Sequence, residues 1–271
     1  MIPQRNALMN TPKLLTGKKI AVLAADGFEQ AELKTPVAAL CDAGASVTLV
    51  SLRRGRIRGM HMHQPGELVR VDKTILDARA ADYDALFIPG GYISPDILRQ
   101  SAPVRAFVRE FDAAAKPIAL MSQAPLVLVS AGLAARRTLA SWPGVRDDVV
   151  NAGATWINEE VARDGHVLSG RGVQDMAAFV RALLPLCAGE PVTPAPVLRA
   201  HSDPPQETPL EQPNQSLRWL AAPSFGTMLS LALLGVGVVA AQRVRHRQAA
   251  DPPEASGAAA STPDPSARAR D

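Results

Sequence analysis

Between residues 18 and 187 the apolar positions fall into short unbroken runs, separated by longer stretches in which apolar and polar residues mix. Short apolar runs bounded by Gly, Pro or Asp have the pattern of strands buried on both faces, and the mixed stretches have room for covering helices. Residues 20–25 form the first run, closed by Asp26-Gly27; residues 45–50 form the second, 84–89 the third and 118–121 the fourth. This alternation predicts an α/β domain built on a parallel sheet. Helical stretches are expected at residues 35–44, 104–115 and 126–131, the last opened by Pro125 and closed by Gly132. An acid-rich helix opening follows at 144–148, short strands at 154–161 and 166–169 surround the turn Asp164-Gly165, and an amphipathic helix closes the domain at 173–184.

Composition narrows the function classes. The chain has 271 residues and a formal net charge of +3, with its arginines spread out, so nothing favours nucleic-acid binding. Arg53, Arg54, Arg56 and Arg58 flank Gly55 and Gly59 and predict a basic hairpin or loop, read as a solubilising surface. Cys41 and Cys187 are too isolated for a disulfide framework and read as reduced thiols. His61 and His63 alternate along one loop without an acidic or cysteine partner at ligand spacing, so no metal and no cofactor are expected. Residues 1–17 lack the apolar core of a secretory signal and read as a loose leader.

The candidate chemistry gathers around Ser122. It stands where an apolar strand meets a helix opened by Pro125, a strand-to-helix turn that can lift one side chain above the sheet edge. The following N–H groups, beginning with Gln123, then face a developing anion. Gly90 and Gly91 close another strand, and two glycines at a strand's carboxyl end let backbone N–H groups approach a ligand closely, which suits an oxyanion hole. Glu29 and Glu32, three residues apart after the first strand, share a face if their helix begins early, and either could handle a proton.

The stretches GFEQAEL, DALFIPGGYISPD, KPIALMSQAP, TLASWPGVRDDVVNAGATW and DMAAFVRALL occur in an order and spacing that resemble the ThiJ/PfpI family, a branch of the class I glutamine amidotransferase-like superfamily. The likeness covers residues 18–186, and SWPGVRDDVVNAGA is most similar to the PfpI peptidase and glyoxalase-like branch. It implies a flavodoxin-like three-layer sandwich, a homodimer or larger homo-oligomer, and an active site near a subunit interface. It also implies peptidase, glyoxalase, deglycase or redox-sensing chemistry run by a thiolate. By the same likeness the acid beside the nucleophile maps to Glu32 or Glu29, an interface acid to Asp96 and the oxyanion position to Gly91.

The chain departs from that pattern at its centre. Where the family carries Cys-His, this chain has Ser122-Gln123, and the late Ser-Arg pair appears as Gly170-Arg171. A serine hydroxyl is a far weaker nucleophile than a thiolate and needs a base within hydrogen-bond reach, which Gln123 cannot supply. The favoured reading is a catalytically degenerate domain that keeps its pocket for binding or regulation. The alternative is a Ser122-dependent hydrolase, peptidase or glyoxalase-like enzyme with Glu32 or Glu29 as base. A carboxylate oxygen within about 3.2 Å of the hydroxyl would favour the enzyme.

Beyond the domain, residues 188–218 read as a proline-rich linker, with seven prolines in residues 188–216. Residues 219–242 carry no charge, and 219–241 would span about 35 Å as a helix, enough for a bilayer core. Arg218 and Trp219 suit one interface and Arg243, Arg245 and Arg247 the other. A single-pass anchor in the lipid bilayer is expected, with the α/β domain cytoplasmic and residues 243–271 as a disordered tail.

Overall fold

The computed structural model describes residues 13–190 and 201–206. In chain order the domain opens with β1 (Lys19–Leu23), β2 (Phe28–Glu29), α1 (Gln30–Asp42), β3 (Ser46–Ser51) and a hairpin of β4 (Arg56–His61) and β5 (Gln64–Arg70). It continues through β6 (Lys73–Thr74), β7 (Ala85–Ile88), α2 (Ser94–Gln100), α3 (Ala102–Ala113), β8 (Ile118–Met121) and α4 (Pro125–Ala131). Last come β9 (Thr138–Leu139), α5 (Arg146–Asn151), β10 (Thr155–Trp156), β11 (Val161–Asp164), β12 (Val167–Gly170) and α6 (Met176–Ala188).

Seven strands form one sheet in the order β11-β12-β8-β7-β1-β3-β6, and every pairing except β11–β12 is parallel. Along β1 the residues alternate between two cores. Ala21 and Leu23 join Phe107, Phe111, Val127 and Leu128 from α3 and α4, while Ile20 and Val22 join Leu40 of α1 and Phe179 and Leu183 of α6. That period of two makes the sheet the middle of three layers. It also explains the unbroken apolar runs, since both faces are covered. β1, β7 and β8 are adjacent and parallel, so their carboxyl ends meet at one edge, where α/β sheets place their sites.

Three details depart from the sequence reading. Helix α1 begins at Gln30 rather than near residue 35 and runs through Pro36, which brings Glu32 into its first turn. Leu15, assigned to the loose leader, is fully buried, and its N–H donates to the Ala43 carbonyl at 2.8 Å, so packing against α1 orders the end of that segment. Residues 201–206, assigned to the linker, are held against the domain by hydrogen bonds from Trp156, Asn158 and Arg146. Residues 219–242 lie outside the described residues, among which no helix is long and apolar enough to cross a membrane.

Candidate active site

Ser122 occupies the turn between β8 and α4 with φ of 49°, in the left-handed region that costs a non-glycine residue about 1–3 kcal/mol. The turn is held on both sides. Ser122 N–H donates to the Gly170 carbonyl at 2.9 Å, and the Ser122 carbonyl accepts the Trp142 N–H at 3.0 Å. A strained, over-determined serine between strand and helix has the build of a nucleophile elbow.

Glu32 is 2% exposed and meets the elbow directly. The Ser122 hydroxyl donates to Glu32 Oε1, and Gly90 N–H donates to Glu32 Oε2 at 2.8 Å. Burial pushes the Glu32 carboxyl up to about 7, against the pull of the hydrogen bonds from Ser122 and Gly90, and the neighbouring Glu29 charge adds to the rise. A carboxyl raised toward neutrality can both take and return a proton. Gly90 makes the contact possible, because a Cβ on it would lie 2.5 Å from Glu32 Oε2 and 2.6 Å from Ser122 Cβ.

The other candidates take different places. Glu29 precedes α1 and lines the same cavity, but its Oε2 accepts the Met62 N–H at 2.9 Å and so braces the β4–β5 turn. Gly91, at φ of 110°, donates its N–H to Gln123 Oε1 at 3.0 Å, so the Gln123 side chain occupies the donor that the sequence reading expected for an oxyanion. Asp96 is not brought to Ser122. It pairs with Arg99 at 3.0 Å and Gln100 at 3.1 Å on α2 and is absent from the cavity lining.

The cavity above Ser122 measures about 460 Å³. Its rim includes residues to which the sequence reading gave no role: Met62, Tyr92, Trp142, Val173 and Gln206. Tyr92 stacks on His63 at 5.3 Å and meets Trp142 edge-on at 6.5 Å, which gives His63 an aromatic partner. Burial raises the Tyr92 phenol pKa, and the Glu29 and Glu32 charges add to it. Arg171 also lines the cavity, but both its Nε and a terminal nitrogen bond Asp175, at 2.8 and 3.0 Å. Trp142 and Pro143 stood in the quoted SWPG stretch, an aromatic beside a proline, which is a signal for a loop wall; Gln206 had no signal in a proline-rich tail. Among the described residues no group of three or more His, Cys, Asp or Glu side chains is placed to hold a metal.

Comparison with known proteins bears on the family and the fold. A model of the DJ-1/PfpI family matches residues 18–186. The chain is similar to a deglycase of Thermococcus kodakarensis, 37% identical over 168 residues that cover 62% of this chain and 98% of that protein. It is also similar to protein/nucleic acid deglycase 2 of Escherichia coli, 36% identical over 172 residues, 62% of this chain and 97% of the relative. Among solved structures, a DJ-1 superfamily protein from Salmonella typhimurium superposes with a TM-score of 0.58 at 29% identity, covering 64% of this chain and 91% of that one. DJ-1beta of Drosophila melanogaster gives a TM-score of 0.59 with the same coverage of both chains, and its 24% identity speaks to the fold alone.

Proposed function

Because this chain belongs to the DJ-1/PfpI family, we propose that it is an enzyme acting on small carbonyl or acyl compounds in which Ser122 is the nucleophile and Glu32 its base. The observation that carries this reading is the bond from the Ser122 hydroxyl to Glu32 Oε1, with the carboxyl steadied by Gly90 N–H. It is the carboxylate contact that the sequence reading named as favouring the enzyme, and it supports Glu32 rather than Glu29 as base.

The reaction follows from those contacts. Ser122 Oγ bonds to the carbonyl carbon, its proton passes to Glu32, and the C=O electron pair moves onto oxygen. The Gln123 N–H is the first donor to that oxyanion, and the Gly91 N–H becomes the second once the Gln123 amide swings aside. With an ester or amide the electron pair then returns, the leaving group departs with the proton from Glu32, and water cleaves the acyl-serine by the same route. That relatives are named as deglycases supports an enzymatic reading of the domain.

The test is an assay of the chain with an activated ester, a 2-oxoaldehyde and a peptide, beside its Ser122→Ala and Ser122→Cys variants. Turnover by the parent that Ser122→Ala abolishes is the expected result. A degenerate binding domain is the second reading, favoured by the Gln123 oxygen that sits on the Gly91 N–H. A silent parent whose Ser122→Cys variant is active would establish that reading instead.

We also propose that residues 219–242 tether the domain to a membrane, on the strength of their uncharged length and flanking arginines, with the domain on the cytoplasmic side as the family resemblance implies. The full chain should stay in the pellet after an alkaline carbonate wash and enter solution with detergent. A homo-oligomer is proposed from the family resemblance, and sedimentation in that detergent reads it.

A further inference from the structure

The outer edge of β10 is covered by residues that lie beyond the family-matched region, which ends at residue 186. Thr155 and Ile157 donate their N–H groups to Arg137 and Leu139 carbonyls, at 2.8 and 2.9 Å, so both face β9. Trp156, between them, turns its own N–H and C=O the opposite way. There its N–H donates to Ser202 Oγ at 3.0 Å, and its carbonyl accepts the Asp203 N–H at 2.9 Å. Asn158 N–H donates to Asp203 Oδ2 at 2.8 Å. Arg146 grips the Asp203 carbonyl with Nε at 3.0 Å and a terminal nitrogen at 2.8 Å, and its guanidinium lies 5.7 Å over the Trp156 ring.

These contacts amount to strand addition in which serine and aspartate side chains stand in for backbone acceptors. The carboxylate bond to the Asn158 N–H is charge-assisted and stronger than a neutral one. Pro204 and Pro205 come next. Their fixed φ reduces the entropy lost on docking, and they have no N–H to leave unpaired. Gln206 then reaches the lining of the cavity that holds Ser122.

We propose that residues 202–206 are a strap, recognised in cis as an extended Ser-Asp-Pro-Pro peptide by the β10 edge and Arg146, which carries Gln206 into the pocket wall and limits the size of substrate admitted beside Ser122. The recognition rests on the contacts alone, and the size limit rests on the Ser122 reading as well.

The experiment compares the full chain with its Ser202→Ala/Asp203→Ala and Gln206→Ala variants. Amide hydrogen exchange at Trp156 and Asn158 should quicken about tenfold or more in the double variant, while β1 and β7 keep their protection as the control for folding. A synthetic peptide of residues 199–208 at millimolar concentration should restore protection to the double variant, and the same peptide carrying Ser202→Ala and Asp203→Ala should not. The ratio of kcat/KM for a bulky over a small activated ester should rise several-fold in both variants. Unchanged exchange overturns the strap. Faster exchange with an unchanged ester ratio overturns the size limit and keeps the strap. If exchange quickens but none of the three proteins turns over ester, the size limit falls together with the Ser122 reading, and the strap again stands.

Discussion

Ser122 and Glu32, at the floor of the pocket, are 3% and 2% exposed, whereas Met62 and Tyr92, at its rim, are 45% and 42% exposed. The floor is assembled from the elbow after β8, the strand end before Gly91 and the first turn of α1, all fixed by the two cores that the sheet separates. The rim comes from the β4–β5 turn, two loops and the strap, held by an aromatic stack, an edge-on ring contact and isolated hydrogen bonds. On the proposed function, reactivity is set where close packing leaves little freedom, and selectivity where a few polar contacts can be exchanged without disturbing the fold.

Substitutions can break that division or sharpen it. Ser122→Ala should have the largest effect, a loss of ester turnover of roughly a thousandfold or more with the fold retained, read by steady-state kinetics beside circular dichroism. Glu32→Gln should lower kcat by about a hundredfold. It should also remove a pH dependence of stability. The Glu32 carboxyl rises from 4.5 to about 7 on folding, so the folded chain holds more protons between those values. Its contribution is present below about 4.5 and lost as pH rises to about 7, a change of about 3 kcal/mol. Denaturant unfolding at pH 5 and pH 8 should show that decline in the parent and not in Glu32→Gln.

Gly90→Ala tests the floor without removing any reactive group. The added methyl must displace Glu32 or Ser122 Cβ, and overpacking of this kind costs about 1–3 kcal/mol. Turnover should fall with the Ser122–Glu32 bond, and retained activity would show that the bond is dispensable. Gln123→Ala frees the Gly91 N–H and should raise kcat a few-fold if that donor serves the oxyanion. The smallest change is expected at the rim, where Tyr92→Phe should shift KM by less than about threefold and leave kcat alone, because the ring stack on His63 survives.

The floor was legible in the sequence because burial leaves a strong pattern. The apolar run 118–121 matches β8 residue for residue, and Pro125 and Gly132 bracket α4 as the punctuation indicated, with Gly132 at φ of 75°. The start of α1 was less legible, since Pro36 disguised a helix that begins six residues before it, and that start decides which of Glu29 and Glu32 reaches Ser122. The role of Gln123 could not be read from spacing, because its amide turns onto Gly91 on another strand end. Asp96 instead pairs with Arg99, three residues on along α2, a spacing that helix geometry favours and that the family mapping overrode. The strap was hidden for a different reason. Its prolines announce extended chain, but the docking partners Trp156, Asn158 and Arg146 lie about fifty residues away.

Oxygen in place of sulfur at position 122 changes what the site can endure. A thiolate at such an elbow climbs by stages to acids from which it does not return, and each stage ends turnover. The Ser122 hydroxyl has no such ladder. Cys187 is buried and its thiol is pushed up to about 12, leaving Cys41, on the outer face of α1, as the accessible sulfhydryl among the described residues. Peroxide that would silence a thiolate in this pocket should leave the proposed Ser122-dependent ester turnover unchanged.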